Sequence, residues 1–208
     1  MTATLGFGFL RLPQVDGAVN YEAGCALVDR FLALGGRYFD TAYTYLEGQS
    51  EEAIRRCLVE RHPRESYHLA DKLPGFAAKS EEESLRFFET SMKRCGVDYF
   101  DTYLLHGLNE ENYEISKKFR QFEFLQKMKG QGRVKRIGFS FHDCPNCWTA
   151  FSPSTRKWNA SCSRSTIWTG TALPCGHRSS MKLPAAMARP SSSWNPSKAA
   201  VWRHPRWS

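Results

Sequence analysis

The sequence predicts an α/β protein of the (β/α)8, TIM-barrel type, with about five of the eight strand–helix units present. Three observations predict it. Apolar strand-like runs alternate strictly with helix-period segments as far as residue 143, which implies a parallel sheet covered by helices. A polar or glycine residue closes each run, and these residues, Gly8, Asp40, Lys72, His106 and Ser140, recur at intervals of 32, 32, 34 and 34. That interval is the length of one strand-plus-helix unit. The regular spacing, with a polar residue at each strand end, favours a barrel over a doubly wound open sheet, because barrel enzymes keep their chemistry at the C-terminal ends of the strands.

Each element follows from local pattern. Thr4–Leu10 contains a short strand ending in glycines. Gly6-x-Gly8 lacks the third glycine of a dinucleotide fingerprint and is followed by Arg11 and Pro13, which speaks against a Rossmann loop. Asn20 caps a helix over Tyr21–Leu34, with Cys25, Leu27, Val28, Phe31 and Leu32 toward the core and Gly35-Gly36 as the stop. Strand two runs from Tyr38 to Asp40. Ser50 is expected to cap a second helix carrying Ala53, Ile54, Cys57 and Leu58, with Pro63 beyond its end. Strand three covers Tyr67–Lys72. Ser80-Glu-Glu-Glu83 reads as a capping box opening a helix that runs through Cys95-Gly96. Strand four covers Tyr99–His106. Ser116 is expected to open a fourth helix with Phe119, Phe122, Leu125 and Met128, closed by Gly130 and Gly132, and Val134–Ser140 is strand five.

Composition divides the chain in two. The 208 residues carry a net charge of +8, but all of that excess lies at one end. Residues 1–143 hold 20 Lys+Arg and 21 Asp+Glu, while residues 144–208 hold nine Lys+Arg and no acid. The second part also contains all six tryptophans, seven of ten prolines and twelve serines, with one isoleucine, one valine and no tyrosine. Residues 1–143 are therefore read as a partial barrel and residues 144–208 as a low-acid, Trp/Ser/Pro-rich tail, irregular or disordered. No run approaches ~18 apolar residues, so no membrane span is expected. The start of the chain has no basic region followed by a signal-length apolar segment. The seven cysteines have no framework spacing, and Cys25, Cys57 and Cys95 read as reduced thiols on helices. A cytoplasmic location is expected. Cys144-x-x-Cys147 has no second pair at ligand spacing, so no metal site is expected. The tail's scattered charges carry no nucleic-acid-binding motif, so no nucleic-acid partner is expected.

Asp, Tyr, Lys and His at consecutive strand ends form a proton-donating site. A phenol, with a pKa near ~10, is a poor donor at neutral pH. A neighbouring ammonium favours the phenolate and lowers that value. A carboxylate beside the lysine keeps it charged and oriented, and a histidine can hold a substrate carbonyl by a hydrogen bond. Taken singly, each residue has a plainer role. Asp40 alone would be a turn cap, Tyr43 and Tyr45 rim aromatics, Lys72 a surface partner of Asp71, and His106 a structural histidine. The Asp-to-Tyr spacing selects Tyr45.

Five segments, Leu-Gly-Phe-Gly (5–8), Phe-Asp-Thr-Ala-x-x-Tyr (39–45), Lys72, Leu-Leu-His (104–106) and Arg-Ile-Gly-Phe-Ser (136–140), resemble the aldo/keto reductase family. Arg-Leu-Pro, Ala-Asp-Lys-Leu-Pro and Phe-Ser-Phe-His-Asp resemble a bacterial branch whose members often carry an appended iron–sulfur segment. The resemblance implies reduction of an aldehyde or ketone by NADP(H) or NAD(H), bound without a Rossmann domain. It implies Tyr45 as general acid, Lys72 and Asp40 as its tuners, and His106 as the substrate-orienting donor. It further implies Gly8, Asp40 and Ser140 at the cofactor, Ser140 toward the nicotinamide carboxamide. The family's following asparagine is Phe141 here.

The tail reads as a frame error. Moving each codon one base earlier turns Cys147-Trp148-Thr149 into Leu-Asp, whatever the degenerate bases. Ser165–Gly170 then permits Asn-Tyr-Met-Asp-Trp, and Ser193–Ala200 permits Met-Glu-Pro-Val-Lys-Gly-Gly. These strings resemble the family's sixth and seventh strand ends, in order. A full barrel takes ~250 residues, and the expectation is that one base was lost, or two gained, near codon 143 or 144. Such a polypeptide would fold poorly or bind cofactor weakly. Two other readings are a catalytically inactive barrel fragment and a binding module that uses the basic tail.

Overall fold

The computed structural model describes residues 4–141 and the short segments 159–162, 166–168 and 201–204. In chain order the elements are β1 (Thr4–Gly8), a hairpin of β2 (Gln14–Val15) and β3 (Ala18–Val19), α1 (Tyr21–Ala33), β4 (Tyr38–Asp40), α2 (Gln49–Ile54), β5 (His68–Leu73) and α3 (Glu82–Cys95). Then follow β6 (Phe100–Leu108), α4 (Glu110–Lys118), α5 (Gln121–Gly130), β7 (Val134–Phe141), β8 (Asn159–Cys162), β9 (Thr166–Trp168) and β10 (Val201–His204). Strands β1, β4, β5, β6 and β7 lie side by side in that order, all parallel. This is the consecutive order of a (β/α)8 barrel wall, with five strands and the four helical connections between them among the described residues. The register sets Gly8 beside Asp40, Asp40 beside Ala70 and Lys72 beside Leu104, so the C-terminal strand ends share one rim.

Helices and strands share one core. Val28, Phe31, Ile54, Leu58, Phe88, Leu125 and Met128 from the helices pack with Phe39, Leu69, Leu73, Phe100, Leu105 and Phe139 from the strands. Each fully buried side chain of this size contributes about 1.5–3 kcal/mol through apolar surface withdrawn from water. Phe31 and Phe39 meet edge-on with ring centroids 5.3 Å apart. A Cβ on Gly36 would fall 2.4 Å from the Phe31 ring, so the chain leaving α1 can close over that ring only with glycine there.

Several local expectations differ from the structure. Leu27 does not face the core. It lies exposed with Leu34, seven residues on, along the outer stripe of α1. Ser50 is not a helix cap. The chain reaches α2 through left-handed Gly48 (φ 93°), and Ser50 lies buried one residue inside, its Oγ 2.6 Å from Thr41 Oγ1 and donating to Phe9 O at 3.1 Å. Tertiary partners for the hydroxyl outweigh the cap. The capping box of α3 does not form: Glu81 precedes the helix without a side-chain cap, and Glu83 accepts from the backbone N–H of Lys79, one residue early. Ser116 does not open the fourth helix. Asn109 caps α4 by accepting from Asn112 N–H, and a left-handed Arg120 (φ 48°) divides α4 from α5. Ser116 instead bonds Gln121 across that break.

The hairpin β2–β3 went unpredicted, although Asp16-Gly17 between two short runs is a two-residue turn signal; both residues have positive φ, as a type I′ turn requires. The tail was expected to be irregular. Three of its segments are strands: β8 pairs parallel with β7, β9 antiparallel with β8, and β10 antiparallel with β1. Backbone pairing at an open sheet edge needs no particular side-chain pattern. The rest of 144–208, including Cys144, Cys147 and Cys175, lies outside the described residues. Among the described residues no helix is long and apolar enough to cross a membrane.

Candidate active site

The sequence places Asp40, Tyr45, Lys72 and His106 on three successive strand ends and one loop, and the structure brings all four together. Asp40 closes β4, Lys72 is the penultimate residue of β5, and His106 lies near the end of β6. Asp40 and Lys72 are almost fully buried. The Lys72 ammonium donates to Asp40 Oδ1 at 2.5 Å, to the carbonyl of Thr41 at 2.8 Å and to Tyr45 Oη at 3.2 Å. A lysine has three N–H protons, and here each has an acceptor. Tyr45 receives its bond from Lys72, so its own hydroxyl proton is not spent on the lysine. The His106 ring stands edge-on to Tyr45, centroids 5.5 Å apart at 81°, and the Phe76 ring is tilted against the imidazole with centroids 6.0 Å apart.

Tyr43, the other candidate in the loop, points elsewhere. It packs on Phe87 at 5.1 Å and under the Arg94 guanidinium at 4.6 Å. Tyr45 is followed by Leu46 (φ 49°), Glu47 (φ 56°) and Gly48 (φ 93°), all left-handed. Two non-glycine residues in that region cost about 1–2 kcal/mol each, and such strain persists where its surroundings over-determine it. Here the turn is held by Tyr45 N–H donating to Ala42 O at 3.0 Å and by buried Ser50 below it.

Electrostatics differ in one respect from the expectation. Lys72 lowers the Tyr45 pKa, as anticipated, but burial is the larger influence and Asp40 adds to it, so the phenol lies above its ordinary value. Sequence cannot show how deep a side chain will lie, and depth decides this sum. For Lys72 burial disfavours the ammonium, yet Asp40 and Tyr45 together more than offset it and the pKa is raised. The lysine is therefore held charged.

The two other cofactor candidates flank this group. Gly8 ends β1 directly beside Asp40. Ser140, on β7, is buried, accepts from Gly107 N–H at 2.7 Å and donates to Leu105 O at 3.4 Å. Its oxygen keeps one lone pair, which suits a carboxamide N–H. A phenol proton donor, a fixed ammonium and this serine fit the ring end of a nicotinamide cofactor.

Sequence reasoning missed a second buried polar group directly behind Lys72. Asp71 points to the opposite side of β5 and accepts the backbone N–H of Lys72 at 2.7 Å. Donor atoms of Glu51, Asp71 and Cys95, all buried, lie within 4.8 Å of one another, and Arg94 pairs with Glu51 at 2.9 Å. Burial, then the charge of Glu51, pushes the Asp71 carboxyl well above the carboxylate range. As two carboxylates, Glu51 Oε1 and Asp71 Oδ2 would each lack a hydrogen-bond partner. The upward shift of Asp71 favours a proton between the two, and Arg94 pairs with Glu51. The available signal was Asp71's position inside an otherwise apolar run.

The chain is similar to known proteins over its first two thirds. The chain is 36% identical over 110 residues to an aldo-keto reductase of Mycolicibacterium smegmatis, covering 52% of this chain and 38% of that protein. It is 34% identical over 142 residues to the uncharacterized oxidoreductase YtbE of Bacillus subtilis, covering 64% and 49%. The chain thus spans less than half the length of these relatives. Among solved structures, an aldo/keto reductase of Klebsiella pneumoniae in complex with NADP and acetate superposes with a TM-score of 0.51 at 25% identity, over 70% of this chain and 47% of that one. One from Brucella melitensis gives 0.50 at 28%, over 66% and 49%. The family model for aldo/keto reductases matches residues 4–156, well over half of the sequence, and the chain therefore belongs to the aldo/keto reductase family.

Proposed function

We propose that this site reduces small aldehydes or ketones to alcohols, with Tyr45 as the general acid. The observation that carries the reading is the threefold anchoring of Lys72, which leaves the Tyr45 hydroxyl proton as the one available for transfer. Bound NADP(H) or NAD(H) would supply the hydride. Tyr45 gives its proton to the carbonyl oxygen as charge develops there. Lys72 then stabilises the phenolate that remains, and Asp40 holds Lys72 charged and in place. His106, against the Tyr45 ring, orients the carbonyl oxygen by a hydrogen bond. Gly8, Asp40 and Ser140 line the nicotinamide end. NADP(H) is supported as the cofactor class by the related K. pneumoniae structure, which holds NADP.

The reading extends to the division of the chain. Residues 1–143 form the catalytic part of the barrel, and residues 144–208 are translated out of frame. The support is the absence of acids from the tail and the acid-bearing, strand-end-like strings recovered one base away. The chain as written holds its cofactor weakly, since the phosphate-binding part of the wall is replaced.

The test is carbonyl-dependent NADPH oxidation by this chain and by its frame-corrected form. The corrected form should turn over, and Tyr45→Phe should lower its rate by about 10²–10⁴-fold. A corrected Tyr45→Phe enzyme with unchanged rate would remove Tyr45 from the mechanism. No turnover by the corrected form would leave the inactive-fragment reading in its place.

A further inference from the structure

We propose that Cys25 and Cys57 are a dithiol site that closes to a disulfide when the protein meets a low-molecular-weight disulfide such as oxidised glutathione. The two cysteines are 32 residues apart, the same interval that separates Gly8 from Asp40. They therefore occupy matching positions in successive strand–helix units, one in the first turns of α1 and one in the π-helical turn Arg55–Val59 that continues α2. That places them on adjoining faces, and the structure brings the sulfurs to 2.8 Å. A bonded pair lies at about 2.05 Å, so closure needs less than an ångström of movement. A π turn widens a helix by one residue and is often found at functional positions; this one carries Cys57.

The two thiols are not equivalent. Cys25 is half-buried and offers an approach for a reagent, whereas Cys57 is sealed. Cys25 donates to the Cys57 sulfur, and Cys57 donates onward to the Tyr21 carbonyl at 3.6 Å. Burial, then the hydrogen bond and charge of Cys25, pushes the Cys57 thiol up to about 12. The order of events follows. The Cys25 thiolate attacks one sulfur of the reagent, the reagent's S–S bond breaks, and the first small thiolate leaves and takes up a proton. Cys57 then gives up its proton, attacks Cys25 Sγ and displaces the second small thiol. Two protein thiols are oxidised by two electrons, and one small disulfide is reduced to two thiols. The product staples α1 to α2, the helix that carries Ser50 beneath Thr41. Cys95, buried beside Asp71 and also pushed up by burial, has no such neighbour among the described cysteines.

The test treats the full chain with oxidised glutathione, quenches with acid, alkylates the remaining thiols and maps peptides without reduction. The same reaction on urea-unfolded chain is the reference. The expected result is a linked pair of peptides containing Cys25 and Cys57, about 2 Da lighter than the two reduced peptides, enriched over the unfolded reference and reversed by dithiothreitol. Cys57→Ser should leave Cys25 as a stable glutathione adduct, and Cys25→Ser should leave Cys57 unmodified. The proposal is overturned if native and unfolded chains give the same mixture of pairs, if Cys25 links chiefly to a cysteine of the tail, or if both thiols are recovered alkylated.

Discussion

At the scale of single residues, Lys72 governs the site because it sits between two buried acids with opposite duties. On the rim side Asp40 is its counter-ion at 2.5 Å. Behind it Asp71 takes its backbone N–H, and burial beside Glu51 pushes its carboxyl upward. Adjacent residues of one strand thus hold a lysine raised by its partners and an acid raised by burial, on opposite faces of the sheet. The raised acid has a measurable consequence. Its folded pKa is raised, so the folded state binds more protons than the unfolded chain above the ordinary aspartate range. Stability is greatest below that range and falls as pH rises toward the folded pKa, by roughly 1.4 kcal/mol per pH unit within the window. Asp71→Asn keeps an acceptor for Lys72 N–H and a donor for Glu51 and removes the titration. Urea unfolding midpoints between about pH 4 and pH 7 should fall less for Asp71→Asn than for the parent chain. Equal slopes would show that Asp71 is already charged in the folded protein.

At the scale of elements, the two ends of the parallel strands do different work. The C-terminal rim carries the tetrad. The opposite end is tied by Asp101, near the start of β6, which accepts from Leu69 N–H on β5 at 3.0 Å, from Arg64 at 2.6 Å and from Lys135 on β7 at 3.0 Å. Burial opposes its charge, but hydrogen bonds led by His68 and Leu69 hold the carboxyl well below the usual range. A depressed folded value contributes stability above the unfolded pKa and loses it as pH falls through and below that range. Asp101→Asn should cost about 1–3 kcal/mol at neutral pH and flatten the acid limb of the stability profile. A neutral cost near zero, with the acid limb unchanged, would deny it this bracing role. The same division explains what was legible in the sequence. Strands and their polar ends were legible because the repeat of 32 to 34 residues is imposed by the barrel itself, and Asp40, Lys72 and His106 follow from it. Ser50 and Ser116 were misread as caps because a serine's local options are visible in sequence and its tertiary partners are not. The break at Arg120 left no trace, since a left-handed arginine is set by how α4 and α5 pack. The net rise of the Tyr45 phenol depends on burial, which no residue spacing encodes.

At the scale of the molecule, the topology of the sheet changes where the segments of residues 144–208 join it. Five strands follow one another in parallel, and β8 continues that sense against β7, with Gly138 opposite Asn159. Beyond it the pattern changes: β9 turns back antiparallel, and β10 covers β1 antiparallel, with Phe7 opposite Val201. In a closed (β/α)8 barrel every neighbour of the first strand is parallel, and closure ties strand number, tilt and stagger together. An antiparallel segment satisfies the edge's backbone groups without rebuilding the rim where a cofactor would lie. The codons around 165–170, one base over, permit Asn-Tyr-Met-Asp-Trp, a polar strand end just past β8 where a sixth strand should finish. Restoring one base near codon 143 or 144 is therefore expected to open a long reading frame, and its product should bind NADPH with a saturable fluorescence change and unfold in one cooperative transition. The chain as written should show little NADPH response and a broad transition, because β1 and β7 are covered by segments that lack the aliphatic pattern of barrel strands. Tight NADPH binding and a single sharp transition in the uncorrected chain would mean that residues 144–208 complete the site as they stand, and the out-of-frame reading would then be wrong.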